Sequence, residues 1–200
     1  MARYQPRDKY YWRARARGLP SRAAFKLDEL LARHRLIRPG GRVIDLGCAP
    51  GGWLAVLAAA IGAGGRVVGI DLAPSRVAAA NVIALTGDLN DPAVQAQAIV
   101  RLGGPADLVT SDLSPKLSGV ADRDQARSAE LLKAALEFAR AALKPDGAMV
   151  AKAFMGGAFD EISAAFRAAF ARLELTRPRA SRPGSAEIYL VATGHRPPPS

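Results

Sequence analysis

The feature that most narrows the fold is an alternation. Between Arg42 and Phe154, short apolar runs (RVIDL, RVVGIDL, NVIALTGDL, DLVTSDL, AMVAKAF) are separated by stretches of helical spacing. Antiparallel strands can follow one another through a tight turn, whereas parallel strands need a crossover, usually a helix. The alternation therefore predicts five parallel strands in a sheet covered on both faces. Helices are expected most clearly over 125–143 and 158–170, and an earlier one from Ser21 to about His34, ended by Pro39-Gly40-Gly41. The closing runs RLELTRP (172–178) and EIYLVAT (187–193) are separated only by Arg179 to Ala186. That gap is too short for a helical crossover, so this pair is expected to be antiparallel. The predicted fold class is α/β: a Rossmann-like, seven-stranded, mostly parallel sheet closed by a C-terminal antiparallel hairpin, with helices on both faces.

In such sheets ligands bind beyond the carboxyl ends of the strands. The first strand runs into DLGCAPGGW (Asp45 to Trp53) and then into a helix. Gly47, Gly51 and Gly52 let backbone approach a ligand, Pro50 stiffens the turn, and the next helix offers unpaired N–H groups. Gly47 is followed by Cys48-Ala49-Pro50, so neither the G-x-G-x-x-G of dinucleotide sites nor the GK[ST] of a phosphate loop is present. Asp71 ends the second strand, where a carboxylate can accept the hydroxyl protons of a ribose. Asp88 ends the third and is placed to accept from an adenine amino group. For both, helix capping is the competing role. Trp53 either packs beside the cofactor or fills the helix-to-sheet core.

Composition limits the partners. With 28 Lys+Arg against 18 Asp+Glu the chain carries +10, a balance that suits a polyanion, nucleic acid before membrane. Arg3, Arg7, Lys9, Arg13, Arg15, Arg17 and Arg22 stand against Asp8 alone in residues 1–22, so this arm holds +6 of the +10. Tyr4, Tyr10, Tyr11 and Trp12 lie among them, a mixture suited to phosphate contact and base stacking on RNA. No apolar run approaches the ~20 residues of a membrane span. The single cysteine, Cys48, excludes an internal disulfide and a cysteine metal cluster, and no metal site is expected. His34 and His195 are expected at the surface. The chain divides into an arm (1–20), one domain (21–196) and a frayed tail (197–200).

SRAAFKLDEL, DLGCAPGGW, SDLSP, VAKAF and the closing EIYLVATG together resemble the FtsJ/RrmJ (RlmE) family of ribosomal RNA 2′-O-methyltransferases, from about Ser21 to Gly194. The resemblance implies a methyltransferase fold, S-adenosylmethionine as methyl donor and a ribose 2′-hydroxyl as acceptor, in bacterial members a uridine of large-subunit ribosomal RNA. It implies a catalytic set of Lys26, Asp112, Lys152 and Glu187, and cofactor contacts at Gly51, Trp53, Asp71, Asp88 and Asp112. The expected partner is RNA, as ribosomal RNA or the assembled large subunit, in the cytoplasm, with no membrane and no obligate protein partner. The alternatives are a 2′-O-methyltransferase of tRNA or another RNA, and a non-catalytic RNA-binding assembly protein of the same fold. The sequence departs from the family pattern at Ser114, where alanine is common, at Lys116, where asparagine is usual, and in SRPGSAE, which replaces a more arginine-rich approach to the glutamate.

The topology permits this set. Asp112 and Lys152 lie at or near the ends of parallel strands, and Glu187 opens a strand expected to run the other way, which starts at that same edge. A ribose hydroxyl is a weak nucleophile that must be aligned and relieved of a proton. Lys152 is the candidate for orienting it and taking that proton, with Lys26 supplied by the helix before the sheet.

Overall fold

A computed structural model describes residues 22–115, 118–181 and 186–197. The arm at 1–20, Lys116 and the tail from 198 lie outside the described residues. The strands are β1 (Arg42–Leu46), β2 (Arg66–Asp71), β3 (Val82–Thr86), β4 (Ala106–Ser111), β5 (Leu143–Phe154), β6 (Phe170–Thr176) and β7 (Glu187–His195). The helices are α1 (Arg22–His34), α2 (Gly52–Ile61), α3 (Pro92–Leu102), α4 (Ala121–Ala142) and α5 (Phe159–Ala169). The strand order is β3-β2-β1-β4-β5-β7-β6. The first five strands pair in parallel, and β7 enters antiparallel between β5 and β6.

The sheet is buried from both sides, which is why its central strands read as unbroken apolar runs rather than as alternations. Ile44, Leu46, Val109, Met149 and Ala151 share one core with Leu132, Leu136, Phe138, Phe159 and Phe166 of α4 and α5. Val43, Val67, Leu108, Val150 and Tyr189 share the other with Leu27, Leu30, Trp53, Leu54 and Leu57 of α1 and α2. Strand order reverses at β1, whose neighbours β2 and β4 follow it by crossovers on opposite sides. That reversal opens a crevice at the carboxyl edge.

Two expectations fail. The helical alternation lapses between β2 and β3, where residues 72–81 hold no helix. Ten residues including Pro74 cannot span the sheet and also form a covered helix with two connections. Neither histidine is a free surface residue. His195 is buried, its Nδ1 3.2 Å from the Lys144 carbonyl oxygen and its ring 5.6 Å from that of Phe170. It closes β7 opposite Phe170 of β6, so the pleat turns it inward. His34, mostly covered at the end of α1, has Nδ1 3.6 Å from Glu174 Oε2 on β6. Among the described residues no helix is long and apolar enough to cross a membrane.

Candidate active site

β1 ends at Leu46 and the chain turns at once. Gly47 takes φ +77°, and a Cβ there would lie 2.9 Å from the Leu113 nitrogen, so the turn is pressed against the chain leaving β4. Gly51 takes φ +120° and caps α2 without a side-chain bond. A Cβ on it would meet Val77 Cγ2 at 2.3 Å. A side chain fits at neither position. The first amides of α2, from Gly52 onward, have no partner within the helix and form an electropositive end.

Around this turn stand the expected carboxylates. Asp71 closes β2; its Oδ2 accepts from the Ala49 N–H and its Oδ1 from that of Ala73, both at 2.9 Å. Each oxygen keeps a lone pair for a further donor. An open cleft of about 510 Å³ lies here, lined by Ala49, Pro50, Asp71, Ser75 and Arg76 among others. Asp88 stands two residues beyond β3, exposed, its Oδ1 accepting from the Asn90 amide and side chain at 2.9 and 3.0 Å. Trp53 takes the core role. Its ring is buried 6.1 Å from that of Tyr189, and its Nε1 donates to the Ala23 carbonyl at 2.9 Å. What Trp53 has left for the turn is its main-chain amide near the start of α2.

The four residues singled out for chemistry meet further along the same edge. Lys152 lies near the end of β5, its side chain only 8% exposed. Its ammonium donates to Asp112 Oδ1 at 2.8 Å, to the Asp112 carbonyl at 3.0 Å and to Ser114 Oγ at 2.5 Å. All three N–H groups are thus accepted. Glu187 opens β7 in register with Phe154, and Tyr189 with Lys152. Lys26, on α1, makes an ion pair with Glu187, and its Nζ lies 5.7 Å from the Tyr189 ring centre. Two lysine–carboxylate pairs therefore flank one spot. Burial raises the Asp112 carboxyl above its usual range; Lys152 opposes that rise, Glu187 adds to it and Lys26 opposes it.

Three participants were not expected from the sequence. Tyr189 is buried, bonds Glu187 and has its hydroxyl pushed well above the usual phenol range by burial, then by the Asp112 and Glu187 charges. Asp45 lies wholly buried in β1, accepting from Thr110 Oγ1 at 2.7 Å while Oδ2 has no partner. Burial lifts its carboxyl to about 8, with the Asp112 and Asp71 charges adding to the rise and the Thr110 bond opposing it. Ser114 supplies the third acceptor on Lys152. Tyr189 is legible as strand alternation two residues after Glu187, but an aromatic in an apolar run carries no signal of its own. Cys48, buried in the turn, has its thiol pushed up to about 12 by burial and then by the Asp45 and Asp71 charges, which leaves it inert.

A glycine turn at the strand-order reversal, with two lysine–carboxylate pairs beyond it, can hold a nucleoside and manage a proton. The sequence profile of the FtsJ-like methyltransferases matches residues 19–195. The chain belongs to the FtsJ-like methyltransferase family. Relatives in that family named ribosomal RNA large subunit methyltransferase E are similar along nearly the whole chain. The protein from Anaeromyxobacter sp. (strain Fw109-5) is 45% identical over 96% of this chain and 70% of its own length. That from Myxococcus xanthus is 41% identical over 98% of this chain and 92% of its own. Among solved structures, a chain described as a ribosomal RNA methyltransferase from Plasmodium falciparum matches with TM-score 0.76 and 23% identity, over 88% of this chain and 97% of its own. Fibrillarin from Aeropyrum pernix, in complex with natively bound S-adenosyl-L-methionine, matches with TM-score 0.58 and 17% identity, over 86% of this chain and 76% of its own. These two likenesses establish a shared methyltransferase fold.

Proposed function

We propose that this methyltransferase transfers the methyl group of S-adenosylmethionine to a ribose 2′-hydroxyl of large-subunit ribosomal RNA, in the cytoplasm. The observation that carries the reading is the meeting of Lys152–Asp112 and Lys26–Glu187 at one strand edge, next to the glycine turn. The substrate class is the one named for the relatives that this chain matches at 41–45% identity.

The residues at the turn fit the cofactor. Asp71 has lone pairs free for ribose hydroxyls, the exposed Asp88 can accept from the adenine amino group, and Gly47, Pro50, Gly51, Gly52 and the Trp53 amide would line the backbone cradle. Asp112 has its backbone against Gly47 of the turn and its carboxylate on Lys152. When bound, S-adenosylmethionine supplies a methyl group already activated on a cationic sulfur. The protein must then align the acceptor oxygen and remove its proton, and alignment alone is worth up to about 7–11 kcal/mol in favourable cases. Lys152 Nζ orients the 2′-hydroxyl oxygen; as that oxygen takes the methyl group and the sulfur–carbon bond breaks, the hydroxyl proton passes to Lys152 or to water. Asp112 fixes Lys152 through two contacts. Glu187, held by Lys26 and Tyr189, accepts from the 2′-hydroxyl of an adjacent nucleotide and orients the strand.

Labelled methyl transfer to intact large ribosomal subunits, free ribosomal RNA and bulk tRNA tests this, with Lys152→Ala beside wild type. Label confined to ribosomal material, resistant to alkaline cleavage and reduced at least 10²-fold in the variant, is expected. Label in tRNA would move the substrate. RNA binding without transfer to any acceptor would overturn the enzymatic reading.

A further inference from the structure

A second cavity, of about 280 Å³, opens at the carboxyl end of β5, outside the cofactor cleft. The first turns of α4 form one wall through Gln125, Ala126 and Ala129, and the Gly156-Gly157 loop forms the other. Leu132, Ala153 and Ile162 give it an apolar floor. Phe154 joins it to the catalytic lysine: its ring lines the cavity and its centre lies 6.0 Å from Lys152 Nζ. The cavity and Lys152 are therefore linked through this one aromatic ring.

We propose that this cavity receives the nucleobase of the nucleotide whose 2′-hydroxyl is methylated, and that Gln125 contacts the edge of that base. The inference rests on the RNA ribose reading above. The lining decides the class of ligand. It holds no lysine or arginine and includes Asp122, so it repels phosphate. An apolar slot beside an aromatic ring and flat glycine peptides, with polar groups at the rim, suits an unstacked heterocycle. Gln125 presents both a donor and an acceptor, as the hydrogen-bonding edge of a base requires. Its carboxamide makes no hydrogen bond among the described residues and lies over Gly156, where a Cβ would be 2.4 Å from Gln125 Oε1. Glycine at 156 thus leaves room for the carboxamide at the mouth. A base lodged here would be drawn out of its helix or loop, which explains how a buried lysine reaches a sugar hydroxyl.

The test compares an RNA that wild type methylates with the same RNA made abasic at the acceptor nucleotide, which keeps the 2′-hydroxyl. Wild type is expected to lose about tenfold or more in kcat/KM on the abasic RNA, the scale of one stacked base. Ala126→Phe, which fills the cavity from the exposed side of α4, should lose a similar factor on normal RNA and nothing further on abasic RNA. Gln125→Leu should lose several-fold on normal RNA only. S-adenosylmethionine affinity, measured by calorimetry, should stay within twofold of wild type in both variants, which separates this role from misfolding. Equal turnover of the two RNAs by wild type would overturn the proposal, as would wild-type discrimination retained by both variants. Failure of wild type to methylate any RNA would be failure of the underlying reading, and is seen before either variant is made.

Discussion

The ammonium of Lys152 is fully occupied: Asp112 accepts twice and Ser114 once. The Ser114 hydroxyl therefore sits where the acceptor hydroxyl must come. Alanine is the common residue at this position in the family that the sequence resembles, and it would leave that direction open. Ser114→Ala is expected to lower the apparent KM for RNA roughly two- to tenfold, the scale of one exchanged hydrogen bond, with kcat not reduced. Steady-state kinetics on one defined RNA will check it; a tenfold drop in kcat would mean that Ser114 positions the lysine and does not compete with substrate. Lys152 stood out because a lysine at the end of an apolar strand has few idle roles, whereas Lys26, Asp112 and Glu187 became candidates through the family resemblance. Tyr189 and Asp45 were not legible. Tyr189 differs from a core residue only by its bond to Glu187, and Asp45 read only as the end of the first strand until β4 placed Thr110 against it.

At the scale of elements, that β1–β4 contact carries a pH dependence. The Asp45 carboxyl is raised from 3.8 to about 8 in the fold. Folded protein keeps a proton that the unfolded chain releases between these values, so this contribution is whole below about pH 4 and is lost as pH rises toward 8. Asp45→Asn keeps the Thr110 bond and removes the titration. Urea unfolding across pH 4–8 should show a flatter profile for the variant and a stability relative to wild type that improves with pH; parallel profiles would sink the assignment. The strands themselves were readable because burial on both faces leaves long apolar runs. The lapse after β2 was not, since RVAAAN has helical composition and only the distance to β3 forbids a covered helix. His195 was misplaced for a similar reason: its surroundings are set by β6 and the start of β5, not by its neighbours in sequence.

For the molecule as a whole, the positive charge is unevenly spread along the sequence. The edge that carries the candidate catalytic residues sets two lysines against two carboxylates, whereas residues 1–22 hold +6 of the net +10. Removing residues 1–17 is expected to weaken RNA binding and to lower the slope of log affinity against log salt by about 0.7–0.9 for each phosphate the arm had neutralised. Filter binding across a salt series will measure it, and an unchanged slope would exclude the arm from the footprint. The order of strands has a temporal meaning as well. β6 precedes β7 along the chain yet lies outside it, touching the sheet only through β7. β6 has no strand to pair with until β7 is in place, and β7 also carries Glu187. On the role proposed for Glu187, closure of the sheet and arrival of this acid at the site are expected to be one event. Pulsed hydrogen exchange during refolding should find β6 and β7 amides protected in the same phase; protection of β6 first would break that link.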